Sequence, residues 1–422
     1  MERILTFAKI LFFVLFFSIN AFANNLKNLI ENAKNNPLIQ AKDYETKALK
    51  EQKNALYASY LPKIDIGYAY QNTINPDILY PESANGPYIQ ASWLLFDGLK
   101  REGKFALQNH KIKSAEFAKE ITKEQIFLKI IQNYFKALSI NSKIKALNQQ
   151  QKELQESLVK FELLYASGLA SKDTLEAIKA KYSQNAYHIE NAKVALDSLK
   201  EQIMLLSGTQ EFMLKNAKLK EPQNMDFKDR ADIKAKEFQA KSAKESKTQF
   251  TYFPTIALSN RLTFYDYHNR YAPGVLKVFM PSIKEEDYQN TFGISISMTI
   301  FDTFSIAKQR ESAKYLALAT QSEYAYSKDS QKREAKIAKN ALHSAKEKIK
   351  WAQDSLKSAK ITYAFAKEKF HANLIDYTQY LNALSLLLNA QSFSDESRFD
   401  YEIKKAEFIF SSGQDLEDFL ED

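Results

Sequence analysis

The feature that most constrains this sequence is that it repeats itself once. Leu95-Phe96-Asp97-Gly98 closes one strand-rich section, and Ile300-Phe301-Asp302-Thr303 closes another, 205 positions later. Gly208 and Gly413 each follow a long helix-like segment and are also 205 positions apart. Solenoid repeats are only about 20–50 residues long, so this pattern is typical of a duplicated half-molecule. The chain is therefore expected to fold as two similar halves.

The repeat and the two ends of the chain divide the sequence into five segments. We predict a signal peptide over residues 1–23, because a short apolar run after Lys9 leads to the small-x-small site Ala21-Phe22-Ala23. A transmembrane anchor would need a longer apolar run. The other predicted segments are a first repeat (24–208), a linker (209–228), a second repeat (229–413) and an acidic tail (414–422). Each repeat is predicted to contain a helix, two β-strands and a long helical hairpin.

The composition argues against several kinds of site. The chain has no cysteine, which excludes disulfides, thiolate metal sites and cysteine nucleophiles. Its five histidines are widely spaced, and the sequence has no glycine-rich phosphate loop or nucleophile elbow. The formal net charge is +8, but residues of both signs are interspersed, so no nucleic-acid partner is expected. We predict a protein that is not an enzyme and that holds no cofactor or metal ion.

Four segments alternate between apolar and polar residues and are predicted to be β-strands. They cover residues 64–70, 89–96, 256–264 and 292–300. In the last of them, every second residue from Phe292 to Ile300 is apolar. A strand of a soluble sandwich shows the same alternation, but four such strands after a signal peptide favour a membrane-spanning β-barrel. The intervening residues 71–87 and 265–288 are predicted to be exposed loops.

Most of the remaining chain is predicted to be helical. Residues 26–58 are expected to form one helix that ends before Pro62. Residues 100–165 and 305–371 contain no proline, and at 1.5 Å rise per residue each could form a helix of about 100 Å. Each long helix is followed by a return helix, which together predict two helical hairpins.

The first return helix carries a seam of apolar residues that recur every three or four positions. The seam consists of Leu175, Ile178, Tyr182, Ala186, Ile189, Ala192, Leu196, Leu199, Ile203 and Leu206. A mean spacing near 3.5 is typical of a coiled coil. At the two hairpin tips the chain must reverse its direction. Gly168 and Asn373 occupy matched positions there, and both residue types suit a left-handed turn.

In this combination of features the sequence resembles the TolC family of outer-membrane efflux channels. The resemblance covers nearly all of residues 24–413 and includes both Leu/Ile-Phe-Asp junctions. It rests also on the tip signature Tyr165-x-x-Gly168-x-x-Ser171-x-Asp173-x-Leu175-x-Ala177 and on Leu206-Ser207-Gly208. It implies an α+β membrane protein with a trimeric 12-stranded β-barrel, to which each chain gives four strands. The barrel would lie in the outer membrane and continue as a long α-helical coiled-coil tunnel in the periplasm.

The resemblance also implies a gate at the periplasmic end of the tunnel. In the family, carboxylates on the helix after the second tip narrow this end. The matching stretch here reads Gln379-Tyr380-Leu381-Asn382-Ala383, so amides replace both acids. Charge at the gate would come from Asp376, or from Asp173 and Glu176 of the first tip. The alternative is that these acids are solvated or cap their helices.

The function implied by the resemblance is that of a passive exit duct in a tripartite efflux or type I secretion system. The implied partners are two further copies in a homotrimer, outer-membrane lipid, a periplasmic adaptor protein and an inner-membrane transporter. Leucines beside the turn residues indicate that the adaptor docks at the tips Gly168-Leu169 and Asn373-Leu374. The alternative function is a periplasmic coiled-coil adaptor (membrane fusion) protein, although an adaptor has one such hairpin and this chain has two.

Overall fold

The computed structural model describes residues 26–75, 82–222, 226–268, 278, 287–372 and 374–421. The predicted signal peptide and Asn373 lie outside the described residues. The chain divides into two compact units, each of which takes segments from both predicted repeats. The helical unit spans Met1–Asp43, Phe117–Lys234 and Tyr326–Asp422, and the sheet unit spans Tyr44–Glu116 and Ala235–Ala325.

The described part of the chain contains the following helices and strands. The helices are α1 (Leu26–Ala33), α2 (Pro37–Ala58), α3 (Lys100–Ala166), α4 (Lys172–Ser207), α5 (Ala231–Ser246), α6 (Ser305–His371) and α7 (Tyr377–Ser411). The strands are β1 (Lys63–Asn72), β2 (Ser83–Phe96), β3 (Thr255–Phe264), β4 (Asp266–His268) and β5 (Tyr288–Ser297). Within the described part of the chain, no helix combines the length and apolar character needed to cross a membrane.

The sheet unit contains an antiparallel sheet in the order β1-β2-β3-β5, with the short β4 paired to the start of β2. The predicted alternation is confirmed, since the apolar residues of one face are exposed along both edge strands. Ile66 is 78% exposed in β1, and Ile296 is 71% exposed in β5. The other face of β1 carries Asp65 and Gly67, which are half-buried. One face of the sheet is therefore apolar and uncovered within a single chain.

Two of the predicted loops are partly strands, so those predictions are wrong at their ends. β2 begins at Ser83 and includes Pro87, although residues 71–87 were expected to be a loop. Proline lacks an N–H group and is tolerated in a strand only where no ladder bond is needed. No residue pairs with Pro87 on the side of β3 and β4, because β3 pairs with β2 from Tyr88 onwards and β4 pairs only as far as Asn85. On its other side Pro87 lies opposite Tyr68 of β1.

Other strand ends also differ from the sequence prediction. β4, at residues 266–268, lies inside the second predicted loop. β5 begins at Tyr288 and ends at Ser297, four residues earlier at its start and three earlier at its end than expected. These differences arise because strand ends depend on the partner strand, and β3 supplies partners only from Thr255 to Phe264.

An asparagine that interrupts the apolar face of β3 has a cross-strand partner. The side-chain amide of Asn260 donates a 2.8 Å hydrogen bond to the side-chain oxygen of Asn290 in β5. An amide without a partner in an apolar environment would lose hydrogen bonds to water without replacement. The two asparagines satisfy part of this need between themselves.

The predicted helix over residues 26–58 is in fact two helices, α1 and α2. Asn36 lies before Pro37, and its side-chain oxygen accepts a 2.8 Å hydrogen bond from the backbone N–H of Leu38. Asparagine is a preferred N-cap residue and proline is favoured at the first helical position. The Asn36-Pro37 pair therefore ends one helix and begins another.

The core of the helical unit lies around the middle of α3. Phe127, Tyr134 and Phe135 are fully buried there, against Leu29 of α1 and Ile409 of α7. The predicted seam of α4 is confirmed, because none of its ten residues is exposed. The seam also buries Asn185, whose amide donates to the backbone oxygen of Leu147 at 2.9 Å and to Gln151 at 2.7 Å.

The linker and the C-terminal segment pack against α7 in the helical unit. Leu219 of the linker pairs with Leu420 in an isolated antiparallel bridge, and both side chains are buried. Lys405 of α7 is 3% exposed and donates to the backbone oxygen of Leu219 at 2.8 Å. It also pairs with Glu402 at 3.0 Å and with Glu221 at 2.9 Å. The hydrogen bond and ion pairs of the buried Lys405 thus attach the linker to the second repeat.

The duplication is visible in backbone geometry as well as in the order of elements. The long helices α3 and α6 both have 67 residues. At each junction between a strand and a long helix, two consecutive residues have positive φ. They are Gly98 (77°) and Leu99 (65°) in the first repeat, and Thr303 (54°) and Phe304 (68°) in the second.

The repeated aspartate of the junctions has the same role in both halves. A side-chain oxygen of Asp97 accepts the backbone N–H of Lys100 at 3.1 Å, and one of Asp302 accepts that of Ile306 at 2.6 Å. The first N–H groups of a helix have no partner inside the helix, and an aspartate is well suited to supply one. The Leu/Ile-Phe-Asp motif therefore marks where each long helix starts.

Candidate gate and hairpin tips

The first hairpin tip is closed by a left-handed glycine. Gly168 has a φ of 76°, as predicted, and its N–H bonds to the oxygen of Tyr165 at 3.0 Å. The N–H of Leu169 bonds to the oxygen of Leu164 at 2.8 Å. These two bonds form a Schellman motif, which ends a helix and satisfies its last carbonyls. The motif leaves the Leu169 side chain 77% exposed.

The second tip shows the same long-range bond. The N–H of Leu374 bonds to the oxygen of Lys369 at 2.8 Å, again across five residues. The Leu374 side chain is 73% exposed. Asn373, the residue predicted to match Gly168, lies outside the described residues. Each tip therefore presents one leucine to solvent beside the end of a long helix.

The acidic residues of the candidate gate have defined local partners at the starts of the return helices. Asp376 is the N-cap of α7, and its carboxylate accepts the backbone N–H of Gln379 at 2.8 Å. Asp173 lies in the first turn of α4, where a hydrogen bond with the Ser171 side chain lowers its pKa. Glu176 pairs with Lys179 at 3.3 Å. No described hydrogen bond or ion pair joins the two acids of α4 to Asp376.

The start of α7 has a buried face that packs against the first hairpin. Tyr377, Tyr380, Leu381 and Leu384 are buried there, in a cluster with four residues of the first hairpin. Those four are Leu154, Phe161, Leu175 and Ile178. This aromatic cluster was not predicted from the sequence. The signal for it was the spacing of Tyr377, Tyr380 and Leu384 by three and four residues at the start of a helix.

A chain of hydrogen bonds ties α7 to both long helices. The Tyr380 hydroxyl donates to the Glu153 carboxylate of α3 at 3.1 Å and lies 3.2 Å from the Tyr363 hydroxyl of α6. Phe370 stacks on Tyr380 with ring centroids 4.9 Å apart. Burial raises the pKa of Tyr380, and the hydrogen bonds with Tyr363 and Glu153 raise it further. Burial also raises the pKa of Tyr377 to about 12, so both phenols stay neutral at physiological pH.

The opposite face of α7 is exposed and carries the two amides of the candidate gate. Gln379 and Asn382 are both exposed, one turn apart. They line an open groove of about 840 Å³ between α6 and α7. The α6 side of this groove includes Phe365, which is 61% exposed, and Lys369. In an isolated chain this amide face has no covering element among the described residues.

The sequence of this chain matches a known protein family. Residues 228–407, most of the second repeat, match the family model described as outer membrane efflux protein. The chain carries an outer membrane efflux protein domain. The predicted TolC-family resemblance is confirmed, and with it the prediction of an efflux duct in the outer membrane. The alternative of a periplasmic adaptor is not favoured by this match.

Solved structures of outer-membrane channels share the fold of this chain over nearly its full length. The CmeC outer membrane channel of Campylobacter jejuni is 17% identical, with a TM-score of 0.80 over 94% of this chain and 87% of that chain. VceC of Vibrio cholerae is 14% identical, with a TM-score of 0.78 over 93% and 96%. The MtrE channel of Neisseria gonorrhoeae is 12% identical, with a TM-score of 0.74 over 93% and 89%. The comparison with curated proteins gave no match.

These matches confirm the predicted fold class, in which a small antiparallel sheet is combined with long helices. The family and the fold are those of channel proteins. Within the described residues, no group of histidine, aspartate and glutamate side chains is arranged to hold a metal ion.

Proposed function

We propose that three copies of the chain form the exit duct of a tripartite efflux or type I secretion system. The observation that carries this proposal is the open sheet. β1 and β5 each have a free edge among the described strands, and the apolar face between them is exposed. Lipid cannot satisfy free strand edges, so the sheet must close with copies of itself. Three copies give twelve strands, enough for a hollow lumen, whereas the interior of an eight-stranded barrel is filled by side chains.

The proposed duct is passive. Its gate would be the start of α7, where Gln379 and Asn382 of three chains approach the common axis. Amides can hydrogen-bond to one another without the repulsion that carboxylates suffer. Asp376, Asp173 and Glu176 would supply the charge around this ring. The hydrogen bond between Tyr380 and Glu153 would hold α7 in the observed position.

The proposed docking surface for a periplasmic adaptor, linked to an inner-membrane transporter, is the pair of tips. The exposed Leu169 and Leu374 support this assignment, because an exposed leucine at a tight turn gains most when a partner covers it. The groove beside Phe365 extends the apolar surface from the second tip along α6 and α7.

Replacement of both tip leucines tests the proposal. Leu169→Asp and Leu374→Asp together should abolish efflux, while heat-modifiable trimers still reach the outer membrane. Leu205→Asp is the matched control, because Leu205 is also 77% exposed but lies at the other end of α4. It should leave efflux unchanged. Normal efflux in the double variant would show that the tips are not the docking surface, and the absence of trimers in the unmodified protein would refute the proposed assembly.

A further inference from the structure

Arg261 of β3 is a positive charge without a carboxylate partner among the described residues. Its guanidinium carbon lies 3.9 Å from the centroid of the Tyr88 ring in β2. Its Nε donates a hydrogen bond of 3.3 Å to the hydroxyl of Thr263. A guanidinium at this distance from an aromatic face is attracted by the ring quadrupole. Arg261 is thus held in place while its charge stays unneutralised.

The Tyr88 ring under Arg261 is itself held in position by a glycine. Gly67 of β1 lies directly opposite Tyr88 in the strand register. A Cβ atom at Gly67 would lie 2.6 Å from the Tyr88 ring, so only glycine leaves room for the ring to lie across β1. An aromatic side chain that covers a cross-strand glycine in this way is a known means of fixing a sheet. Gly67, Tyr88 and Arg261 therefore form a stack across three neighbouring strands.

The register places this stack on the polar face of the sheet. Asp65, Gln90, Arg261 and Thr291 lie in one row across β1, β2, β3 and β5. The opposite face carries Ile66 and Ile296. Arginine on a lipid-facing surface near the bilayer midplane would be destabilising, which agrees with its place on the polar face.

The charges on this polar face do not cancel. Among its positions in β1, β2, β3 and β5, the charged residues are Lys63, Asp65 and Arg261. Lys63 and Asp65 pair with each other at 2.7 Å. One net positive charge per chain remains, and it belongs to Arg261.

We propose that Arg261, held on Tyr88, forms a ring of three positive charges in the barrel lumen and favours the passage of anionic permeants. The inference rests on the proposed function, because it needs the polar face to line the lumen of a trimer. A cation without a nearby counter-charge in a channel wall raises the local concentration of anions and lowers that of cations. Arg261 would then be a specificity-determining residue of the duct, separate from the gate in the helical unit.

A cysteine reporter measures this local potential directly, since the natural chain has no cysteine. Ser259→Cys places a thiol two residues before Arg261 on the same face, and Ser297→Cys places one about 20 Å away on the same face. Assembled trimers in liposomes are treated with two methanethiosulfonates of similar size, the negative sulfonatoethyl and the positive trimethylammonioethyl reagent. The measured quantity is the ratio of the two modification rates.

We expect Arg261→Gln to lower the anion-to-cation rate ratio at Ser259→Cys by roughly threefold or more at low salt. Arg261→Lys should preserve the ratio, and Ser297→Cys should show little change. If Arg261→Gln does not assemble, the ratio is instead measured at low and high salt in the Ser259→Cys protein that keeps Arg261. Salt at 1 M should lower the ratio, because the Debye length is then only about 3 Å. If both thiols react but neither Arg261→Gln nor added salt changes the ratio of modification rates, the inference about Arg261 is wrong while the proposed function stands. Reaction at Ile294→Cys but at neither serine position would instead refute the proposed orientation of the sheet.

Discussion

The hydroxyl of Tyr380 donates a hydrogen bond of 3.1 Å to the carboxylate of Glu153, 227 positions earlier in the chain. The same hydroxyl lies 3.2 Å from that of Tyr363. The Tyr380 hydroxyl at the start of α7 is therefore within hydrogen-bond distance of both long helices, α3 and α6. It is next to Gln379, a residue of the proposed gate. A hydrogen bond to a charged group contributes about 1.5–3 kcal/mol, more than a neutral one.

Tyr380→Phe should loosen the start of α7 without unfolding the protein. It removes the hydroxyl and both of its bonds but keeps the ring that stacks on Phe370. We expect amide hydrogen exchange over residues 377–384 to become about tenfold faster. The control is Tyr187→Phe, because Tyr187 is 65% exposed and lies outside this cluster. Equal exchange in Tyr380→Phe and the unmodified protein would mean that packing alone holds α7.

Asp376→Asn separates the charge of this residue from its role as a helix cap. Asparagine is as good an N-cap as aspartate, so α7 should start at the same residue and lose only a negative charge. We expect weak block of single-channel conductance by divalent cations in planar bilayers, and its disappearance in Asp376→Asn. Asp376→Ala should also lose about 1 kcal/mol of helix stability. A strong block that Asp376→Asn leaves unchanged would place the constriction elsewhere.

Lys405→Met should destabilise the helical unit strongly. It leaves Glu402 buried without its cation, which costs about 3–5 kcal/mol, and should lower the Tm of the purified protein. Lys404→Met is the control, because the neighbouring Lys404 pairs with Glu407 where both side chains are about 30% exposed. Partly exposed pairs of this kind contribute only about 0–1 kcal/mol. Similar Tm losses in the two variants would contradict the importance of burial.

The Lys405→Met defect should also depend on pH. Burial raises the pKa of Glu402, and the loss of the lysine raises it further. A carboxyl group whose pKa is raised in the folded state binds its proton more tightly when folded, so stability increases as the pH falls through that pKa. We therefore expect the Tm difference from the unmodified protein to shrink from about pH 8 towards about pH 5. A difference that grows as the pH falls would mean that Glu402 is not the group left uncompensated.

Thr303→Gly should stabilise the sheet unit. A β-branched residue at a φ of 54° is strained, and the matched residue of the first repeat is Gly98. Relief of the strain, less the entropy cost of glycine, should raise stability by about 1 kcal/mol. The reciprocal change Gly98→Thr should destabilise, because its Cβ would lie 3.0 Å from the Cβ of Phe253. Thermal unfolding of both variants checks the sign, and a loss of Tm in Thr303→Gly would show that the threonine side chain makes a compensating contact.

Two neighbouring residues of β5 test which face of the sheet meets lipid. Ile294→Arg should impair trimer assembly, since Ile294 is exposed on the apolar face nearer the middle of β5, and arginine at the bilayer midplane costs roughly 2–4 kcal/mol. Ser295→Arg should be tolerated because it lies on the polar face, opposite Ala257. The amount of heat-modifiable trimer in outer-membrane fractions measures both effects. Equal damage from the two changes would contradict the assigned orientation.

The sequence by itself determined the type and order of most elements, the short β4 and the division of the first helix excepted. The alternation from Phe292 to Ile300, the seam that contains Leu175 and Ile178, and the paired Asp97 and Asp302 are local patterns. Each has a local cause, since side-chain periodicity follows backbone geometry and an aspartate caps the helix that directly follows it. Because the sequence is duplicated, a pattern found in one half supported the same interpretation at the matched positions of the other half.

Only the tertiary structure decided where the polar groups find their partners. Pro87 lies inside β2 at a position with which neither β3 nor β4 pairs, and Arg261 is held by Tyr88 from another strand. Lys405 meets Leu219 from 186 positions away. These contacts depend on which distant segments the fold brings together. A buried polar group is stable only with such a partner, and no local pattern in the sequence specifies which residue that partner is.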